Sequence, residues 1–210
     1  MRVGAGARAA GGTIAGTVTT KEPAAKPIHV TIDPSVCGAS LADESIKVDA
    51  SGHLANAVIT VTGVKSPAPA EAMVSNSTCA FVPRVSLIKP AGAVKVASKD
   101  PVLHTTHASA TDGKVLFNLA LPIPNMTLSR PVDKAGVVEL ACNTHTWMRG
   151  YLFVTDELSA ISAADGTFKL DGVPAGDHEI RIWHESLKSA PVKVTVKDGA
   201  TVTAALTLAK

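Results

Sequence analysis

Gly136-Val137-Val138-Glu139-Leu140-Ala141-Cys142-Asn143-Thr144-His145-Thr146-Trp147-Met148-Arg149-Gly150-Tyr151-Leu152-Phe153-Val154 reads as strand, loop, strand. Both flanks are short apolar runs rich in β-branched or aromatic residues, and the centre turns polar and loses alternation. Further strand signals follow on either side. Upstream they are Thr13–Val18, Ile28–Ile32, Asn56–Val61, Arg84–Ile88, Ala93–Val96 and Val115–Leu119. Downstream they are Thr167–Leu170, His178–Trp183, Val192–Val196 and Val202–Leu208. Gly or Pro marks most of the gaps, and no segment offers a long amphipathic helix. This rhythm predicts an all-β chain built as β-sandwich.

The composition agrees. Of 210 residues, 46% are hydrophobic but only 3% aromatic, so the core must be made largely of Val, Leu, Ile and Ala. The 16 Gly and 13 Pro suit many tight turns. A formal net charge of +2 with no dense basic run gives no reason to expect nucleic acid or an anionic membrane surface. No window reaches the roughly 18 consecutive apolar residues of a membrane span. Residues 1–12 are rich in Gly and Ala and are expected to be disordered or an expression remnant. They lack the apolar stretch of a signal peptide, so either the chain is cytoplasmic or it is an exported, periplasmic protein whose signal has been removed.

Cys142, His145 and Met148 stand three residues apart in the central loop. Thiolate and thioether favour Cu(I), imidazole accepts either oxidation state, and a long axial Met tunes the potential. Such a site needs a second imidazole, and His104 and His107 in Leu103-His104-Thr105-Thr106-His107 are the candidates. Taken alone, Cys142 would be an inert thiol and Met148 a core filler. Zinc sites have no preference for a thioether, so Met148 argues for copper. Nothing around Cys142 resembles the nucleophile loop of a cysteine hydrolase. His184, in Trp183-His184-Glu185, has no second His at helical spacing. It is read as a strand-end residue, and His29, His53 and His178 as ordinary polar positions.

With these residues the chain resembles the cupredoxins, the mononuclear blue copper proteins of the amicyanin and plastocyanin type. Cys142, His145, Met148, Arg149 and Gly150 reproduce their C-x-x-H-x-x-M loop leading into R-G and a strand. His104 and His107 match the spacing of their upstream histidine pair. The resemblance covers about residues 79–155. It implies His104, Cys142, His145 and Met148 as copper ligands, with His107 beside the site or as an alternative ligand. Thr105 stands where the family commonly has an Asn that ties the ligand loops together, and Thr144 where it commonly has Pro. The resemblance further implies one copper ion, a one-electron carrier and no enzyme activity. It makes His145 the near-surface electron port, with a redox protein docking transiently beside it, and Trp147 a shield or apolar contact. A copper delivery or sensing protein, or a surface scaffold with a non-catalytic copper site, is the alternative.

Residues 160–210 resemble the transthyretin-like modules found beside carboxypeptidases. The carriers are Asp165-Gly166-Thr167-Phe168-Lys169-Leu170-Asp171-Gly172-Val173-Pro174-Ala175-Gly176 and the closing turn at Asp198-Gly199. Such modules open with a strand like Gly12–Val18. The expected division is therefore a disordered 1–12, N-terminal strands in 13–64 that pack with the C-terminal module, a copper domain in 65–156, and a β module in 157–210. Cys37 and Cys79 remain as an even pair. They form either a disulfide, which needs an oxidising compartment such as the periplasm, or two unrelated buried thiols. The sequons at Asn76 and Asn125 are of a kind common by chance.

Overall fold

The structure is a computed structural model and describes residues 11–66 and 68–210. The expectation of disorder for residues 1–12 falls, apart from Gly11 and Gly12, outside the described residues. The described residues are nearly all β, with one helical turn at Pro34–Cys37 and one 3-10 turn at Glu44–Ile46. It divides into two compact units: residues 23–47 with 66–156, and residues up to 22 with 48–65 and 157–210.

The unit holding the Cys142 loop is a two-sheet sandwich. One sheet runs Val115–Leu121, His104–Ala110, Gly136–Ala141, Arg149–Val154, Val85–Ile88 in spatial order. The other runs Thr127–Val132, Gly92–Ser98, Glu71–Ser77, Ala80–Val82. Alternation drives this arrangement, because successive side chains on a strand point to opposite faces. Val94 and Val96 from one sheet meet Leu119, Leu121, Leu140 and Leu152 from the other in a single buried cluster. Gly150 leaves room for Phe81, since a Cβ there would stand 3.0 Å from the Phe81 Cβ.

Two strands lack an apolar signature and were not anticipated. His104–Ala110 faces inward with His104, Thr106 and Ala108, and Glu71–Ser77 with Ala72, Val74 and Asn76. Thr127–Val132 and Glu157–Ile161 also add to the expected set, whereas Ile28–Ile32 contributes only the short strand Ile28–His29. Asn76 is fully buried, which removes it as a glycosylation acceptor in the folded chain.

The other unit has a three-stranded sheet in which Gly12–Thr20 lies between Thr167–Val173 and Thr201–Leu208. Its four-stranded sheet runs Glu157–Ile161, Val58–Lys65, Gly176–Trp183, Val192–Val196.

The division differs from the expected one at residues 23–47. They cluster with the Cys142 sandwich instead of with the strands on either side of them. The cause is covalent and apolar. Cys37 is disulfide-bonded to Cys79, and Val30 and Cys37 are buried in the sandwich core with Val36 and Leu41 packed against it.

The disulfide closes a 42-residue separation, for which loop-closure entropy gives a stabilisation of about 4 kcal/mol. Replacing both cysteines with serine should lower the unfolding free energy by a few kcal/mol in denaturant titrations. An unchanged midpoint would show that the crosslink does not secure this segment.

Candidate metal centre

The ligand loop is the connection between two antiparallel neighbours, Gly136–Ala141 and Arg149–Val154. On the other side Gly136–Ala141 pairs with His104–Ala110, with Ala141 opposite His107. His104, three residues before His107, therefore sits beyond the paired region and level with the loop. Three hydrogen bonds fix the loop itself. The Met148 amide donates to the His145 carbonyl (2.9 Å), the Cys142 amide to the Met148 carbonyl (3.4 Å), and the His145 amide to Cys142 Sγ (3.4 Å).

The fold gathers His104, Cys142 and His145 at one end of the sandwich. Cys142 Sγ lies 4.0 Å from His104 Nδ1 and 3.8 Å from His145 Nδ1, and one ligand atom from each of the three lies within 4.8 Å of the others. The exposures are 0% for His104, 2% for Cys142, 0% for His145 and 2% for Met148. Cys142 is the free cysteine of the described residues. Two other clusters, Cys37/Cys79/His145 and Cys79/Asp100/His104, rely on sulfurs committed to the disulfide.

Both imidazoles are gripped from behind. His104 Nε2 is 2.9 Å from Asp100 Oδ2, and His145 Nε2 is 3.1 Å from Asp33 Oδ2. A carboxylate on Nε2 fixes the ring's orientation and leaves Nδ1 to face the centre. Asp100 has a second task. Its two oxygens accept the amides of Thr78 and Cys79 at 2.8 and 2.9 Å. Thr78 and Cys79 both have positive φ (52° and 54°), the tight hairpin conformation usually given to Asn-Gly, and the carboxylate secures it without a glycine. Neither carboxylate was anticipated from the sequence. The available signal was an Asp four residues before His104, and for Asp33 only the Asp-Pro start of a helical turn.

Thr105 occupies the place where the cupredoxin pattern has Asn, and it ties the loops. Its hydroxyl oxygen accepts the Asn143 amide at 2.7 Å, and its own amide and hydroxyl donate to Cys142 Sγ at 3.4 and 3.7 Å. Trp147 donates its indole N–H to the Cys79 carbonyl (3.1 Å) and lies edge-on to His145, with ring centroids 5.2 Å apart. His107 does not join the cluster. Strand alternation turns it to the face opposite His104 and Thr106, which removes it as an alternative ligand. His184 belongs to the other unit, where its Nδ1 accepts the Ser186 amide at 3.2 Å.

One expectation is adjusted. His145 is not open to solvent, because its ring is fully buried and its Nε2 is covered by Asp33. The segment 23–47, drawn onto the site by the Cys37–Cys79 bond, supplies that cover.

Burial pushes the Cys142 thiol up. The hydrogen bond with His104, the His145 and Thr105 amides and the His145 ring together outweigh it and bring the thiol down to about 5. Burial also opposes the charged form of His104, but Cys142 and Asp100 overcome it and raise its affinity for a proton. The cluster is thus built to hold a thiolate, the form of cysteine that binds metal.

A transition ion with bonds of about 2.3 Å to sulfur and about 2.0 Å to nitrogen, about 120° apart, sets S and N about 3.7 Å apart. The 3.8 and 4.0 Å found here fit that demand with little adjustment.

No protein-family model matches this chain, and no curated protein sequence matches it either. Solved structures do. A purple cupredoxin from Nitrosopumilus maritimus matches at 23% identity and a TM-score of 0.36, over 40% of this chain and 99% of that one. A reduced amicyanin variant matches at 19% identity and a TM-score of 0.37, over 46% of this chain and 98% of that one. The copper-containing nitrite reductase of Thermus scotoductus matches at 20% identity and a TM-score of 0.34, over 45% of this chain and 24% of that one.

In the metal-free protein the ultraviolet absorbance of the Cys142 thiolate should titrate near pH 5, against about 8.5 for an unfolded cysteine. The thiolate's contribution to stability is then complete above about pH 8.5 and is lost as pH falls through 5. A midpoint at the unfolded value would contradict the assigned hydrogen bonds. Thr105→Val, which deletes the hydroxyl tie to Asn143, should cost about 1 kcal/mol in equilibrium unfolding.

Proposed function

We propose that this protein is a mononuclear copper protein that carries single electrons between redox partners, with His104, Cys142, His145 and Met148 as ligands. The observation behind this reading is the donor set: one nitrogen from each of two imidazoles and a cysteine sulfur within 4.8 Å of one another, with a thioether side chain in the same seven-residue loop. Two nitrogens and one thiolate with a weak axial thioether suit copper in both oxidation states, and zinc gains nothing from Met148. Bound copper supplies a centre that exchanges one electron.

The chain's own residues account for the rest. Asp100 and Asp33 orient the two rings. Thr105 and the His145 amide direct hydrogen bonds at the sulfur and spread its charge. The sandwich keeps these groups in place in either oxidation state, so little reorganisation accompanies electron transfer. Near-complete burial of all four ligand residues supports a carrier over an enzyme, which needs an open coordination position. It also supports a carrier over a delivery protein, whose ligands must be reachable by the recipient. Ile32 and Leu103, exposed at 39% and 45% and next in sequence to Asp33 and His104, offer a transient partner an apolar contact. The other unit is proposed as a transthyretin-like scaffold. The disulfide, stable in oxidising compartments, supports an exported, periplasmic setting.

Adding Cu(II) to the metal-free protein should produce an intense visible thiolate-to-copper band that saturates at one equivalent and vanishes in Cys142→Ser. The loaded protein should cycle between oxidation states without losing copper to a Cu(I) chelator. Absence of the band, or its survival in Cys142→Ser, would refute the copper reading. Loss of copper on reduction would instead favour delivery.

A further inference from the structure

We infer that Asp33 is a positioning residue for His145, set in place by the disulfide-bound segment 23–47, and that its negative charge lowers the reduction potential of the copper centre. The inference rests on the copper reading above. It assigns to residues outside the ligand loop a control over the ligand that the loop alone would leave open.

The contacts form a closed circuit. His145 Nε2 meets Asp33 Oδ2 at 3.1 Å. The Asp33 carbonyl accepts the amides of Val36 and Cys37 at 3.0 and 2.9 Å, winding the Pro34–Cys37 turn. Cys37 is bonded to Cys79, the Cys79 carbonyl accepts the Trp147 indole at 3.1 Å, and Trp147 returns to the His145 ring. Every link is a named bond or ring contact, and His145 stands at both ends of the chain of contacts.

Asp33 is also placed against its local interests. An Asp before a helical turn ordinarily caps it with its side chain. Here Asp33 has a left-handed backbone, φ 51° and ψ 45°, and its side chain makes no capping bond. It is directed to His145 instead. Asp tolerates this region better than most non-glycine residues, so the side chain's departure from capping is what marks its placement.

A carboxylate behind a ligating histidine raises the basicity of the ring and stabilises the higher metal charge, so it favours Cu(II) over Cu(I). It also opposes rotation of the ring off the metal, because rotation would leave the Nε2 hydrogen without a partner in a buried site. Asp33 itself is 39% exposed on its side chain, so the effect is tempered by solvent but not removed.

The test uses the full-length, disulfide-intact chain with Asp33→Asn and Asp33→Ala. In the metal-free protein, proton–nitrogen NMR should find a slowly exchanging Nε2 hydrogen on His145 that Asp33→Ala abolishes. This readout needs no copper, so it separates failure of the positioning role from failure of the copper reading. In the loaded protein, Asp33→Asn should raise the reduction potential while leaving the thiolate band in place. Asp33→Ala should in addition weaken copper affinity by about 10- to 100-fold. A purely structural Asp33 would lower the melting temperature of both variants and leave the potential and the His145 resonance unmoved, and that result overturns the inference. Should Asp33→Ala fail to fold, an unchanged potential in Asp33→Asn overturns it alone.

Discussion

Burying a thiolate beside two imidazoles in an apolar sandwich is the constraint from which the rest of this site follows. A thiolate removed from water is costly unless donors surround it. Here the amides of Thr105 and His145 and the Thr105 hydroxyl do so. Those donors come from two chain segments, so the His104 strand and the Cys142 loop must arrive together. The bond from Asn143 to Thr105 holds them there. Strand pairing between Gly136–Ala141 and its neighbours on both sides sets the positions on which this depends.

The same constraint explains the two carboxylates. An imidazole buried without a partner on its outer nitrogen would leave a donor unsatisfied, and each ring here is met by an Asp. The two are secured differently. Asp100 is buried in the sandwich and also braces the Thr78–Cys79 turn. Asp33 arrives on a segment remote in sequence and is kept near the site by the Cys37–Cys79 bond.

Much of this was legible in the sequence. The Cys142, His145 and Met148 spacing, the upstream His104 and the all-β rhythm are local patterns, and local patterns survive folding. What could not be read depends on contacts across long separations. Asp33 lies 112 residues from His145, and nothing in its Asp-Pro context marks it as the partner of a ring. The burial of His145 was missed for the same reason, since it is a segment from elsewhere that covers the loop. The strands His104–Ala110 and Glu71–Ser77 carry no clear hydrophobic alternation, because Val74 is the one large apolar residue at their inward positions and the rest are His, Thr, Ala and Asn. The role of Thr105 was half legible. A departure from the cupredoxin pattern was visible at that position, but that a hydroxyl can make the same tie was not.

Under the proposed function, this end of the sandwich would bind one copper ion through the Nδ1 atoms of His104 and His145 and the sulfur of Cys142. Anomalous diffraction at the copper absorption edge, from crystals of the copper-loaded protein, tests it most directly. A single strong peak bonded to those three atoms, with both Nε2 atoms still on their carboxylates, would be the expected result. A peak bonded through either Nε2, a peak elsewhere in the chain, or none at all would contradict it.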